Sequence, residues 1–296
     1  MTEKSLKRVS YTMLTGPAIL IYAFIIIFPI LYSLTLSFTK WSGLDLPQFV
    51  GLQQYRRIFS DPVFYHGLRN NLLVVAISVF GQIPLGFALA YIIYRRLVAG
   101  GRFFETMIFL PITISAVVVA ILWAQIFSPA GIFTALIRVL KDEPRYVLGI
   151  FESRNYAIVP VLFVILWMYT GIYMVIYIAN LQRISPSVIE AAIIDGATEG
   201  QILGRVILPS MVNVIFTTAV FAISGSLKSF DLIYAMTGGG PAHYTEVIAI
   251  YMYVNTFKYY NYGFGSAISV IIVAMSLGLI SLIQVVFRRL ERRYGT

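Results

Sequence analysis

Charged residues are absent from six long stretches of the chain, 9–39, 70–94, 106–137, 155–182, 206–227 and 259–287. Each exceeds the roughly 20 residues that an α-helix needs to cross the hydrocarbon core of a bilayer. A helix satisfies its own backbone hydrogen bonds in lipid, so the pattern predicts six transmembrane helices. Their cores are expected near 13–36, 71–94, 106–127, 156–179, 210–232 and 265–287. The first run is too long for a signal-peptide core, lacks an A-x-A-like cleavage site, and has Pro17 and Pro29 bracketing its centre; it predicts a retained helix. Pro84 with Gly86 in the second run predicts a local kink, and the third run contains Pro111. Between the first two runs, Ser60-Asp61-Pro62 reads as the start of a short surface helix. Trp41, Phe49, Tyr55, Phe59, Phe64 and Tyr65 there suit an interfacial aromatic belt.

One polar island interrupts this apolar pattern, residues 185–209, SPSVIEAAIIDGATEGQILGRVILP. Ser187 and Glu190 have capping-box spacing, Asp195-Gly196 supplies a helix stop, and Thr198 with Gln201 repeats the capping signal. Ile202, Leu203, Val206 and Ile207 form an apolar stripe, and Pro209 closes the segment. Two short helices joined by a glycine turn are predicted, the shape of a protruding docking element.

Composition agrees with a membrane protein. Hydrophobic residues make up 59% and charged residues 12% of 296, against about 25% charged in soluble domains. Six spans put both termini on one side. If that side is the cytoplasm, the internal segments hold 12 Lys/Arg in 51 residues and the external ones 10 in 78. The positive-inside rule favours this orientation and places the polar island in the cytoplasm. The net charge of +9 comes largely from the flanks, Lys4, Lys7, Arg8, Arg95, Arg96, Arg288, Arg289, Arg292 and Arg293. Cations so placed anchor a chain against anionic headgroups and do not form the contiguous face that binds nucleic acid. With no cysteine, disulfides and thiolate metal sites are excluded.

Candidate chemistry is sparse. His66 and His243 have no partner arrangement, and Glu190, Asp195 and Glu199 suit helix dipoles when taken separately. Gly238-Gly239-Gly240 is not part of any G-x-x-x-x-G-K-[ST] sequence, so no nucleotide site is encoded. Lys228 and Asp231 could pair at i, i+3, or simply reach the interface. Tyr169, Thr170, Tyr173 and Tyr177 on the fourth helix, and Thr217, Thr218, Ser224, Gly225, Ser226 and Ser229 on the fifth, serve either helix packing or a polar path. Without ionisable groups in the spans or visible repeats, a permease powered by another chain is expected. The alternative class is an ATP-independent channel or a membrane scaffold.

The segment Glu190-Ala191-Ala192-Ile193-Ile194-Asp195-Gly196-Ala197, ending in Ile207-Leu208-Pro209, resembles the E-A-A…D-G-A…I-x-L-P signature of permease subunits of binding-protein-dependent ABC importers. Phe49-Val50-Gly51-Leu52, Tyr55-Arg56-Arg57, Asp61-Pro62-Val63-Phe64, Phe109-Leu110-Pro111, Trp123, Thr237-Gly238-Gly239-Gly240-Pro241 and Thr245-Glu246 resemble its carbohydrate branch, in the subunit type with a Gly-Gly-Pro external loop. Leu203 stands where an aromatic is common, and Asn70-Asn71 replaces the more usual Asn-Thr; neither departure weighs against the resemblance.

The resemblance implies an all-α membrane protein of type I importer architecture. Its parts would be an N-terminal helix with external segment (1–69), a five-helix ABC type-1 transmembrane domain (70–288) and a basic tail (289–296). It also implies a second permease, two ATP-binding subunits carrying ATP and magnesium, and an external solute-binding protein. Glu190, Ala191, Ala192, Asp195, Gly196, Ala197 and Pro209 would then couple to the ATPase. Tyr169, Tyr173, Gly225, Ser226 and Ser229 would contact a sugar. The same machinery could carry a glycerol-phosphate or another polar solute. The chain itself is expected to hold no cofactor or metal and to catalyse nothing, and to sit in a prokaryotic inner membrane.

Overall fold

The computed structural model describes the backbone of residues 3–294 and the side-chain surroundings of residues 13–288. The side chains of Lys4, Lys7, Arg8, Arg289, Arg292 and Arg293 lie outside the described residues. Helix α1 covers residues 3–36, followed by an antiparallel hairpin, β1 (Thr39–Lys40) with β2 (Gln48–Phe49), and by α2 (Gln53–Phe59). Next come α3 (Pro62–Tyr94), α4 (Gly101–Thr113), α5 (Ala116–Ile126) and α6 (Ile132–Lys141). Helices α7 (Ile158–Leu181), α8 (Pro186–Ile194), α9 (Glu199–Ser210) and α10 (Val212–Leu227) follow. The last are α11 (Asp231–Thr237), α12 (Ile248–Tyr253) and α13 (Tyr262–Tyr294). The hairpin makes the chain predominantly helical, not strictly all-α.

Among the described residues four helices are long and apolar enough to cross a membrane, Met13–Leu36, Pro62–Tyr94, Ile158–Leu181 and Tyr262–Arg288. Two bent pairs, α4 with α5 and α9 with α10, bring the candidates to as many as six.

Three expectations need correction. The third apolar run is not one helix: α4 and α5 meet at 97°, because Ile114 and Ser115 are extended. The β-branched run Ile112-Thr113-Ile114 favours such a break. Secondly, Ser60-Asp61-Pro62 starts α3 itself, and the short surface helix is α2 instead. Helix α3 extends past Arg69 because Phe64, Gly67, Asn70 and Asn71 are buried. Thirdly, α10 stops at Leu227, and Phe230 (φ −135°) separates it from α11. Lys228 and Asp231 are therefore on different sides of a helix break, and no ion pair joins them among the described residues.

Three of the prolines inside apolar helices share one local arrangement, whereas Pro17 and Pro111 sit in α-helix without it. Each of the π turns Ala23–Ile27, Ser78–Gln82 and Leu203–Ile207 ends two residues before a proline, Pro29, Pro84 or Pro209. The residue preceding each proline donates its N–H five residues back, Phe28 to Ala23, Ile83 to Ser78 and Leu208 to Leu203. Proline lacks an N–H and crowds the carbonyl four residues earlier. A wider turn just upstream makes room for the ring without abandoning the ladder.

The chain forms two compact units. One comprises residues 1–61 and 252–273. Within it Trp41 packs on Tyr262 (5.4 Å between centroids), Arg57 lies over the Phe264 ring (4.5 Å), and Gln54 Nε2 donates to the Thr39 carbonyl (2.9 Å).

The other unit, residues 62–251 and 274–296, carries the main core. It includes Ile83, Ala90, Met174, Tyr177, Leu181, Ile207 and Met211. Tyr177, fully buried, shares a 2.6 Å hydrogen bond between its hydroxyl and that of Thr218, joining α7 to α10. Two buried asparagines on α3 tie distant backbone together. Asn71 Nδ2 donates to the Ser226 carbonyl (3.0 Å) while its Oδ1 accepts the Ile248 N–H (2.7 Å). Asn70 Nδ2 donates to the carbonyls of Tyr244 (2.9 Å) and Glu246 (2.8 Å). The Asn-Asn departure noted in the sequence is thus structural: a threonine cannot offer an amide's paired donor and acceptor at that reach.

Helices α4 and α7 cross at Gly171, where a Cβ would collide with the Ile108 carbonyl oxygen and lie 2.8 Å from Phe109 Cα. Backbone cannot yield as a flexible side chain does. Gly171→Val is expected to destabilise the unit by about 1–3 kcal/mol or more, read as a lower unfolding midpoint of the purified protein. An unchanged midpoint would mean that the crossing is not tightly packed.

Candidate functional site

The polar island folds as two short helices. Helix α8 has Ser185 as N-cap (φ −60°, ψ 126°) and Pro186 at its first position. The expected Ser187–Glu190 capping box does not form: the helix starts two residues earlier, and Ser187 Oγ meets Ser185 Oγ at 2.7 Å. Proline's fixed φ suits a first turn, and it holds the preceding residue extended. At the other end Gly196 takes φ +76°. Its N–H reaches the Ile193 carbonyl (3.0 Å) and the Ala197 N–H reaches Ala192 (2.9 Å), a Schellman stop at the predicted place. Thr198 caps α9, and its backbone N–H donates to Gln201 Oε1 at 2.7 Å, as expected.

Ile189, Ile202 and Ile207 bury into the core, with Ala192, Ala197 and Leu203 packed beside them. Glu190, Ala191, Asp195 and Gly196 are exposed, and so are Val188, Ile193 and Ile194, the last at 85%. Pro209 is half-buried just before α9 turns 66° into α10. The sequence pattern missed the apolar tip of α8, although Ile193-Ile194 directly before a helix stop was its signal.

Glu199, assigned to the helix dipole by position, does more. Its carboxylate receives two bonds from Arg95, Nε to Oε1 and Nη2 to Oε2, each 2.7 Å, and accepts the Tyr91 hydroxyl. Tyr91 and Arg95 are four residues apart, on one face at the end of α3. The fork therefore joins α3 to α9 across 104 positions of sequence. Arg95 is thus a structural partner as well as a flanking cation. The Arg95 bonds, then the Tyr91 hydroxyl, hold the Glu199 carboxyl down at about 2. The same bonds raise the Arg95 guanidinium further above its ordinary value.

The second cluster is a cavity of about 450 Å³. Tyr169 and Tyr173 on α7 line it together with Gly225, Ser226 and Ser229 at the end of α10. All five residues singled out in the sequence thus meet in one place. Ser78 and Gln82 of α3 line the same cavity, as do Lys228 and Asp231 at its exposed edge. Ser78 and Gln82 were missed; polar residues at i, i+4 in an uncharged helix were the signal. Some of these groups are already engaged. Ser226 Oγ donates to the Ala222 carbonyl (2.7 Å), and Gln82 Nε2 to the Ile165 carbonyl (2.8 Å). No cluster of three His, Asp or Glu residues suited to a metal occurs among the described residues.

Residues 82–296 match the family described as binding-protein-dependent transport system inner membrane component. Among curated proteins, a probable ABC transporter permease of Pyrococcus horikoshii is 33% identical over 88% of this chain and 89% of its own. The lactose transport system permease protein LacF of Rhizobium radiobacter is 32% identical over 96% of each. Among solved structures, a bacterial alginate ABC transporter in complex with an alginate pentasaccharide-bound periplasmic protein has a chain of the same fold. Its TM-score is 0.82 at 22% identity, over 97% of this chain and 96% of that one.

The Arg95–Glu199 fork generates a pH dependence. A carboxyl lowered from 4.5 to about 2 on folding stabilises the fold fully above pH 4.5 and loses that contribution as pH falls towards 2. Glu199 is 45% exposed, so screening leaves a contribution of about 1 kcal/mol. Glu199→Gln is expected to lower the unfolding midpoint at pH 7 and to flatten its fall between pH 4.5 and 2.5. Parallel curves for the two proteins would refute the assignment.

Proposed function

The chain belongs to the binding-protein-dependent transport system inner membrane component family, and on that premise we propose that it is a sugar-importing ABC permease subunit. It forms the membrane path together with a second, homologous permease. Two ATP-binding subunits, which carry the ATP and magnesium, dock on the cytoplasmic side, and an external solute-binding protein delivers the sugar. This chain contributes no catalytic residue and holds no cofactor. Curated relatives include permeases for lactose and for multiple sugars, which favours a sugar over a glycerol-phosphate or an unrelated polar solute.

In this reading the chain crosses an inner membrane six times, with both termini cytoplasmic. Residues 1–69 are the first span and external segment, 70–288 the ABC type-1 domain, and 289–296 the basic tail. The bent pair α4–α5 is one broken span, while α10 is the fifth span and α9 precedes it on the cytoplasmic side.

The observation that carries the proposal is the cavity. Its size falls in the range of small-molecule sites, and it combines aromatic faces with hydroxyls. Rings of Tyr169 and Tyr173 stack on apolar sugar faces, while Ser229, Lys228 and Asp231 exchange hydrogen bonds with sugar hydroxyls. Gly225, having no side chain, leaves room beside Ser226.

Energy enters at the other cluster. Glu190, Ala191 and Asp195 present charge and a flat surface to a cleft of the ATPase, and the exposed Ile194 inserts an apolar anchor. Gly196 permits the turn, Ala192 and Ala197 pack it onto the core, and Pro209 marks the bend beyond it. The Arg95–Glu199 fork passes displacement of α9 to α3, which lines the cavity through Ser78 and Gln82.

Tyr173→Ala is expected to lower sugar uptake by proteoliposomes roughly tenfold, about 1.4 kcal/mol, with ATPase subunits still bound. Unchanged uptake would remove Tyr173 from the path. Gly196→Val places a β-branched residue at positive φ, at a strain of about 1–2 kcal/mol. It is expected to abolish uptake and weaken ATPase binding; if both survived, α8 would not be the docking element.

A further inference from the structure

Helix α6, between the broken helix pair and α7, is amphipathic the wrong way round for a helix in water. Its polar residues share one stripe, Thr134, Arg138 and Lys141 at i, i+4 and i+7, and this stripe is satisfied within the protein. Thr134 is fully buried, with Oγ1 donating to the Ser128 carbonyl at 2.8 Å. Arg138 Nε donates to the Tyr146 carbonyl (2.7 Å), and Lys141 Nζ lies over the Tyr146 ring, 4.6 Å from its centroid. The opposite stripe, Ile132, Leu136, Val139 and Leu140, faces outward with exposures of 51% to 80%.

We propose that α6 lies in the membrane–water interface with this apolar stripe immersed among lipid acyl chains. Three observations favour lipid as the occupant. The preceding helix α5 exposes Val117, Val118, Ile121 and Leu122, so an apolar outer surface continues from a membrane-crossing pair onto α6. The turn between them is packed with rings, Phe127 stacked on Phe133 at 5.0 Å and Trp123 on Phe127 at 5.5 Å, the residue type that collects at headgroup depth. Finally, Lys141 and Arg145 are exposed at and just beyond the C-terminal end of α6, where positive charge complements anionic headgroups. Burying the stripe in this way fixes the depth of the 128–156 segment and holds the exit of α5 at a constant level.

The chain has no cysteine, so single cysteines can be placed in an otherwise unchanged protein. Val139→Cys, Leu136→Cys and, as an exposed reference beyond the helix, Glu143→Cys are spin-labelled in the full transporter in phosphatidylethanolamine–phosphatidylglycerol vesicles. The wild-type assembly serves as labelling blank. At Val139 and Leu136 the preference for oxygen over a water-soluble nickel chelate is expected to exceed that at Glu143 by about fivefold or more. Equal access of the chelate to all three sites would show an open aqueous face and overturn the proposal. Exclusion of both reagents from Val139 and Leu136 would overturn it too, by assigning the stripe to a protein partner. Neither result bears on sugar uptake, so the proposed transport function stands or falls separately.

Discussion

A buried amide with no partner costs several kcal/mol in an apolar setting, where no water can replace the missing bond. Asn71 is fully buried on a helix long and apolar enough to span a membrane, and both ends of its amide are used. The donor holds the last turn of α10 through the Ser226 carbonyl, and the acceptor holds the start of α12 through the Ile248 N–H. Asn70 adds two bonds to the loop between α11 and α12. The side chains of Ser226, Lys228 and Ser229 reach their cavity because this end of α10 is fixed. The cavity therefore depends on two adjacent side chains of another helix.

At the opposite end of α3 the linkage is of a different kind. The Arg95–Glu199 fork is half exposed and electrostatic, and so more easily broken than the asparagine clip. One helix is held rigidly near the cavity and by a more exposed, electrostatic contact at α9. Between them the π turn Ser78–Gln82 carries two cavity-lining residues. Helix α3 thus joins an end fixed by buried amide bonds, a π turn in its middle and an end held by an exposed ion pair.

Much of this was legible in the chain itself. The six uncharged runs gave the apolar helices, since exclusion of charge from lipid is a strong constraint and leaves a long signal. Gly196 and the Thr198–Gln201 box were legible because caps obey local stereochemistry. What escaped was non-local. Nothing around Glu199 names Arg95 as its partner, and nothing around Asn71 names Ile248. The Ser187–Glu190 box misled because Pro186 offered a better start for the same helix. The break at Ile114-Ser115 was hidden inside a continuous apolar run, where hydropathy carries no information on direction. The five residues chosen on α7 and α10 did converge on one cavity, and their small, hydroxylated and aromatic character was the only local trace of it.

The Asn71 clip also bears on the birth of the protein. Its acceptor partner lies 177 residues further along the chain. At 5–20 residues per second, translation needs on the order of 10–35 s to deliver it. During that interval the Asn71 amide lacks both partners it has in the finished fold, the Ser226 carbonyl and the Ile248 N–H. The half-made protein is accordingly less suited to lipid than the finished one. Until the C-terminal third of the chain arrives, other groups have to stand in for those two partners, as the Ile176 carbonyl does for the Asn180 amide within its own helix.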